Sequence, residues 1–415
     1  MRKILASETL TVAVLVVLFS GDFFRNAITV PGWVALALTC SAWALTTLVI
    51  NRVSWRALPL TLLIAFAWIV VSPAWSPYAV SSAGLTLGFV FTVCIGLALG
   101  TTVRLAALYT RTATALRLIL ASSLVFELVV ALSGSPLYPV GMDAPPGTSI
   151  ELAWSRGILF ESGGRIQGIV GNANLLGMLA LVALIIAVVR FAGKDHRTQS
   201  GIDFALALLV LFKTASTTVF LAGIAVVAVW ALVWLSRRPP LVARVAGGSL
   251  IAVGVGVVVY ALTHWATFAA ALGKSPDMTN RFGIWEAVID RISVRPITGF
   301  GFVGWWPTWE GWFGIHAIRN IRVQQAHNVW LDLAMQVGIV GAVLFAVALG
   351  VVGWRLWKQA SATMAPTALI SVGIVAAMTV QSLTESRILT EWGIALFVVL
   401  AVAGTKPAET RTPMS

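Results

Sequence analysis

The stretch from Thr279 to Gly341, TNRFGIWEAVIDRISVRPITGFGFVGWWPTWEGWFGIHAIRNIRVQQAHNVWLDLAMQVGIVG, divides the chain. It is the longest region without a membrane-length apolar run, and apolar segments crowd both sides of it. It carries Trp285, Trp305, Trp306, Trp309, Trp312 and Trp330, together with His316 and His327. Between Asn280 and Ser293, Phe282, Trp285, Val288 or Ile289, and Ile292 recur every three to four residues, which predicts an amphipathic helix lying in the membrane interface. Pro296, Gly299 and Gly301 end that helix and predict a tight turn whose backbone N–H groups face an anion. The tryptophans that follow read as interfacial anchors or as platforms for a sugar ring.

Composition fixes the class of the rest. With 59% hydrophobic and 11% charged residues, the chain falls far from soluble domains, which carry about 25% charged residues. A bilayer crossing takes about 20 mostly apolar residues. Twelve segments satisfy that pattern: 4–19, 32–50, 57–72, 82–100, 117–133, 169–189, 202–213, 218–235, 245–264, 329–350, 368–382 and 391–404. The first is expected to be a retained helix, since no small-residue cleavage site precedes Asp22. The expected architecture is one all-α polytopic membrane domain over residues 1–415.

Alternating the connections from a cytoplasmic N-terminus puts 17 of the 28 basic residues on one side, in short loops, as the positive-inside tendency requires. The other side holds two long connections, 134–168 and 265–328, both expected to be extracytoplasmic, the second between spans nine and ten with interfacial helices inside it. Lys274, Arg281, Arg291, Arg295, Arg319 and Arg322 in that second loop run against the tendency and suggest an anionic headgroup or a diphosphate. The net charge of +12 is scattered between apolar spans, so nucleic acid is not an expected partner. Cys40 and Cys94 sit inside apolar runs and build neither a disulfide framework nor a zinc site.

Three short stretches carry chemistry. Gly164-Arg165-Ile166-Gln167-Gly168 and Asn172-Ala173-Asn174 place an arginine and two asparagines where the first long loop meets the next span; this pattern suits phosphate oxygens, or simply caps a helix. Asn280-Arg281 repeats the arrangement at the head of the amphipathic helix. His327-Asn328 stands at the mouth of a span, where an imidazole with an ordinary pKa of about 6.5 can accept a proton from a hydroxyl, and Glu385, in a turn expected on the same side, is the runner-up base.

In order along the chain, Gly164-Arg165-x-x-Gly168, Asn172-x-Asn174-x-x-Gly177, Asn280-Arg281-x-x-x-Trp285, Pro296-x-x-Gly299-x-Gly301, His327-Asn328 and the glycines 338 and 341 resemble the O-antigen ligase family of bacterial membrane glycosyltransferases. The Ser72-Pro-Ala-Trp-Ser-Pro77 turn and the layout of twelve spans with a late large loop fit the same family. The resemblance implies a GT-C-like enzyme in the bacterial cytoplasmic membrane, active on the extracytoplasmic side. It would move a glycan from an undecaprenyl-diphosphate donor to a hydroxyl of a glycan, lipid or protein acceptor, with membrane lipids around it and no metal or cofactor. Arg165, Arg281 and His327 match the family's catalytic positions. Asn172, Asn174, Asn280, Asn328, Lys213, Arg319 and Arg322 are the expected substrate contacts, Lys213 standing near a turn where the family often has Ser-Arg. A polysaccharide polymerase or a protein O-glycan ligase would use the same donor. A flippase or transporter would instead need charges at mid-membrane, where only Glu127 stands out.

Overall fold

The computed structural model describes residues 7–145, 147–271, 281–313 and 323–406. All its regular elements are helical. They are α1 (Glu8–Phe19), α2 (Gly21–Ile50), α3 (Leu60–Val71), α4 (Ala79–Thr102), α5 (Leu105–Ser133), α6 (Ala173–Ala192), α7 (Arg197–Thr214), α8 (Thr217–Leu235), α9 (Pro240–Thr263), α10 (Trp265–Ala271), α11 (Arg281–Val294), α12 (Val329–Thr363), α13 (Pro366–Gln381) and α14 (Glu391–Thr405), with short 3-10 turns between some of them. Each of the twelve expected spans falls on a helix. Seven of these are long and apolar enough to cross a bilayer unaided, namely α2, α4, α5, α6, α8, α9 and α12; α1, α3, α13 and α14 are shorter apolar helices. The chain is a multi-pass membrane protein.

Helix ends depart from the apolar runs wherever polar residues continue a helix. The fifth expected span begins at Arg117, yet α5 starts at Leu105. Arg117 is accommodated inside the helix because its guanidinium binds the carboxylate of Asp203 on α7, with Nη2 to Oδ2 at 2.9 Å. A charge at that depth is tolerated when it is paired.

The interior is built by α6, α13 and α14. Every residue of α14 from Trp392 to Ala403 is buried, packed chiefly on α4. Gly96 of α4 lies so close that a Cβ there would stand 2.5 Å from the Ala395 carbonyl oxygen. At the opposite extreme, α9 buries only Gly247 and presents its valines to lipid.

Two long helices are broken. Pro31 follows a kink in α2 at Ile28 and Thr29. In α12, Val337 and Gly338 leave helical geometry, Gly338 at φ 72° and ψ 174°. Breaking a helix frees backbone groups that lipid cannot satisfy, and here the turn after α11 takes them. Phe300 N and Gly301 N donate to the Met335 and Gln336 carbonyls at 3.1 and 2.7 Å, and Ile339 N donates to Pro296 O at 2.8 Å. The Trp68 indole donates to the Val337 carbonyl at 2.8 Å. Val303 N and Gly304 N both donate to the Gln336 side chain at 2.9 Å, and Phe302 N to Ser72 Oγ at 2.9 Å. This corrects one expectation from the sequence: in the Gly299–Gly301 turn, Gly299 N donates to the Arg295 carbonyl and the N–H groups of Phe300 and Gly301 are consumed by the broken helix, so they do not face an anion.

The Pro-x-x-Gly-x-Gly turn, the glycine at 338 and the Ser72–Pro77 turn are thus one joint. Trp75 adds an indole N–H to the Thr298 carbonyl at 2.9 Å. Trp306 is buried at the centre of a second small core with Tyr78, Ile284, Val288, Phe300 and Met335, so it is neither anchor nor platform, whereas Trp309 is 70% exposed. The buried side of α11 carries Ile284 and Val288, and Phe282 and Ile289 of the expected stripe face outward.

Gly338 has the least room for change. A Cβ there would stand 1.9 Å from the Ile297 carbonyl oxygen, in a backbone region only glycine occupies readily. Gly338→Ala is expected to cost about 3 kcal/mol or more through clash and strain combined. Gly350→Ala on the same helix, where nothing lies within 4 Å, should be neutral. Melting of the two purified variants checks the contrast.

Candidate active site

The two long connections and the turn between α13 and α14 meet at one carboxylate. Glu385 is 2% exposed and both its oxygens are engaged. Oε1 accepts from Arg281 Nη2 at 3.0 Å and from Asn174 Nδ2 at 2.9 Å. Oε2 lies 3.1 Å from His327 Nδ1. The other ends of these side chains tie the site to its walls. Arg281 Nη1 donates to the Thr384 carbonyl. Asn174 Oδ1 accepts from Arg165 Nη2 at 2.8 Å and from Ser216 Oγ at 2.9 Å. Arg165 Nε donates to the Thr214 carbonyl at 3.0 Å. Stretches far apart in the chain, at 165–174, 214–216, 281, 327 and 384–385, therefore share one hydrogen-bonded network.

The electrostatics are set by burial. Loss of water pushes the Glu385 carboxyl up, but the charges of His327 and Arg281, with hydrogen bonds from His327 and Asn174, outweigh it and hold the group down at about 2. An ionised carboxylate only accepts hydrogen bonds, so His327 Nδ1 carries the hydrogen and Nε2 is the ring's other reactive position. Arg165 is shifted the other way: burial, then the like charges of Arg156 and Arg281, lower its pKa, and Glu385 only partly offsets them. Arg165 thus lies within electrostatic reach of two other guanidinium groups, Arg156 and Arg281, and of the Glu385 carboxylate. Such a cluster favours an anion.

The loops are held by a second buried acid. Asp332, in the first turn of α12, accepts from Ala326 N at 3.0 Å, from Trp306 Nε1 at 2.8 Å and from Ser386 Oγ. It therefore grips the residue before His327 and the residue after Glu385, fixing their separation. Behind Arg165, Glu127 does comparable work in α5, accepting from Gln167 N at 2.8 Å, Gly168 N at 2.6 Å and Ser155 Oγ at 2.8 Å. Gly168 has φ 60°, and a Cβ there would stand 2.7 Å from Ser123 Cβ, so the strand of loop carrying Arg165 lies tight on α5.

Of the residues expected to touch substrate, Arg165, Arg281, His327 and Asn174 come together. Asn172 and Asn328 are helix caps: Asn172 Oδ1 accepts from Asn174 N and Leu175 N at 2.9 and 3.2 Å, and Asn328 Oδ1 from Trp330 N and Leu331 N at 2.9 and 3.1 Å. Their geometry orients α6 and α12 beneath the network. Lys213 closes the last turn of α7, with Nζ on the Leu159 carbonyl at 2.9 Å, while its own carbonyl accepts from Ile166 N; it braces the Arg165 loop. Asn280, Arg319 and Arg322, and His316, lie outside the described residues.

Sequence reading named Glu385 only as a runner-up base and missed Arg156 and Asp332. Arg156 carried a usable signal, being a basic residue in a loop assigned to the side poor in basic residues. Asp332 carried one as well, an acid four residues beyond a helix cap in an otherwise apolar run.

Because its folded pKa is depressed from 4.5, Glu385 contributes stability that is complete above pH 4.5 and lost as pH falls toward about 2. Thermal melts of the wild type between pH 6 and pH 2.5 should show this loss. Glu385→Gln should melt lower than wild type at pH 6 and show a flatter acid limb.

A search of curated proteins gives no match to this chain. Residues 202–346, running from α7 through the break in α12 and so containing Arg281 and His327, match the family model described as O-Antigen ligase.

Proposed function

We propose that the protein transfers a glycan from a polyprenyl-diphosphate donor to an acceptor hydroxyl at the extracytoplasmic face of the cytoplasmic membrane. The match of residues 202–346 to the O-Antigen ligase family model supports glycan transfer of the ligase or polymerase type in general. The observation that carries the finer reading is the Glu385 network, in which Arg281, His327 and Asn174 converge on one buried carboxylate and Arg165 joins through Asn174.

In this reading Arg165, Arg281 and Arg156 hold the diphosphate and take up the charge that grows on it as it leaves. His327 Nε2 receives the proton of the acceptor hydroxyl, whose oxygen forms the new bond to the anomeric carbon as the bond to the diphosphate breaks. Glu385 keeps the imidazole in its required tautomer and stabilises the imidazolium that results, the role of the acid in a triad. Asn174 orients both Arg165 and Glu385. Asp332 sets the distance between the loops bearing His327 and Glu385. A transport reading is disfavoured, since Glu127, the mid-span charge it would use, is occupied by two backbone N–H groups and Ser155.

Turnover of a purified undecaprenyl-diphosphate glycan with candidate acceptors, in reconstituted protein, is the direct test. His327→Gln should lower turnover by about a hundredfold to ten-thousandfold while donor affinity persists. If His327 only touches the diphosphate, His327→Arg should retain activity and Gln should weaken donor binding instead. Arg165→Ala and Arg281→Ala should abolish most turnover, and Lys at either position should restore it incompletely because an ammonium cannot reproduce a planar fork.

The proposed sidedness is tested separately. Single cysteines at Gly147 and Gly311 should react with an impermeant reagent on intact cells, and those at Asp195 and Gln359 should not. Labelling of Asp195 and Gly311 from the same side would refute it.

A further inference from the structure

Two spanning helices break in the same way, and only one of them breaks at a glycine. In α12 the backbone turns at Val337 (φ −123°, ψ 15°) and Gly338 (φ 72°, ψ 174°), and in α2 it turns at Ile28 (φ −126°, ψ 17°) and Thr29 (φ 67°, ψ 172°). The likeness extends to the neighbours. A Cβ on Gly341 would meet the Val337 side chain at 2.3 Å and one on Gly32 would meet the Ile28 side chain at 2.9 Å, so each break is followed by a glycine that leaves room for a branched residue. Each break also gives a carbonyl to a long connection or the turn within it: Met335 O accepts from Phe300 N at 3.1 Å, and Asn26 O accepts from Val140 N at 2.8 Å.

The breaks differ in what opposes them. Thr29 occupies a backbone region that is essentially glycine's own, so the bent form of α2 is strained. Straightening is opposed as well, because in a continuous helix Pro31 has no N–H for the Ala27 carbonyl and its ring presses on that carbonyl. In α12 the corresponding residues are Gly338, which is unstrained there, and Val340, which keeps its N–H. Both forms of α2 are therefore penalised, and Asn26 O is the atom for which they compete. It is bonded to Val140 N when α2 is bent and would be bonded to Val30 N in a straight helix.

The bend sets residues 21–27 apart as a short stub that touches both walls of the site. On one side, Asn26 Nδ2 stands 3.1 Å from where a Cβ on Gly171 would sit, and the Phe23 ring lies 5.9 Å from that of Trp154, whose indole donates to the Ile169 carbonyl at 2.8 Å. This is the backbone that runs on from Arg165. On the other side, Arg25 binds Asp22 and Glu391, and Arg387 binds the same two carboxylates, with Nη2 to Asp22 Oδ2 at 3.1 Å. Arg387 is buried and stands two residues beyond Glu385.

We propose that the α2 break is a two-position hinge and that Thr29 and Pro31 are positioning residues for the site. Bent, the stub holds the Arg165 connection and the Glu385 turn in register; straight, it withdraws from both. Only the consequence for turnover rests on the glycan-transfer reading above.

Hydrogen exchange of the full protein in nanodiscs, followed on peptides containing Val140, reads the bent fraction without any substrate. Thr29→Gly removes the strain of the bent form and should slow that exchange about tenfold. Pro31→Ala frees the straight form and should speed it about tenfold or more. The double variant should return toward the wild-type rate, because the two changes oppose each other. In turnover of an undecaprenyl-diphosphate glycan, Pro31→Ala should lower kcat several-fold and adding Thr29→Gly should restore it, a rescue that two merely destabilising changes could not give. Val140 exchange unmoved by either single variant, or a double variant that falls further from wild type than Pro31→Ala, would overturn the hinge. Exchange as expected with kcat indifferent to Pro31→Ala would overturn the positioning role. Exchange as expected in a protein that transfers no glycan would overturn the glycan-transfer reading and the positioning role with it, while leaving the hinge.

Discussion

A carboxylate taken out of water must be paired, and in this protein the pairing of Glu385 assembles everything around it. Stripping water from a lone carboxylate costs several kcal/mol even after the surroundings relax. The cost is met only when Arg281, Asn174 and His327 arrive together from three different parts of the chain. Removing any one of them leaves Glu385 undersatisfied, so the network tends to be complete or absent. The same logic applies to Asp332, which is fully buried and is satisfied by the main chain of one loop and the hydroxyl of another. Precision at the site therefore comes from burial, with the membrane-embedded helices serving as the rigid frame.

The second constraint is the break in α12. A helix interrupted within a bilayer exposes carbonyls that must find donors, and those donors come from the Pro296–Gly304 segment and Trp68. The second long connection is consequently fastened to a spanning helix. Arg281 and His327 sit on either flank of that fastened segment, which is why a loop can hold two site residues in register. Glycine at 299, 301 and 338 follows from the closeness of the contact, since each position meets other atoms within 2.6 Å of a would-be Cβ.

The sequence made the helices legible because apolar length is a one-dimensional signal; all twelve expected spans lie on helices, and errors fall at ends such as Leu105–Arg117, where an ion pair across the bundle lets a polar turn stay helical. Motif spacing singled out Arg165, Arg281 and His327 as candidates, and the fold brings the three together. What spacing could not give was who partners whom. The Gly299–Gly301 turn has the look of an anion cradle, and only the unwound backbone of a distant helix reveals where its N–H groups go. Asn172 and Asn328 carried both readings, cap and ligand, and their Oδ1 atoms make the caps. Arg156 and Asp332 stand in no recognisable motif, and their importance arises from charge and burial that exist only once the chain has folded.

The order in which the chain is made adds a further consequence. Glu385 is followed by α14, the most thoroughly enclosed helix, which slots against α4 more than two hundred residues upstream. Arg165, Arg281 and His327 are all synthesised before Glu385. Until then the three have no common counter-charge and α4 lacks its closest neighbour. The unfinished bundle thus carries the cations of the site without the group that organises them, and α13 and α14, on either side of that group, act as its latch. Biogenesis and competence are in this way coupled: a chain stalled before α13 and α14 would be a membrane protein by every measure of hydropathy and still have nothing with which to hold His327 in place.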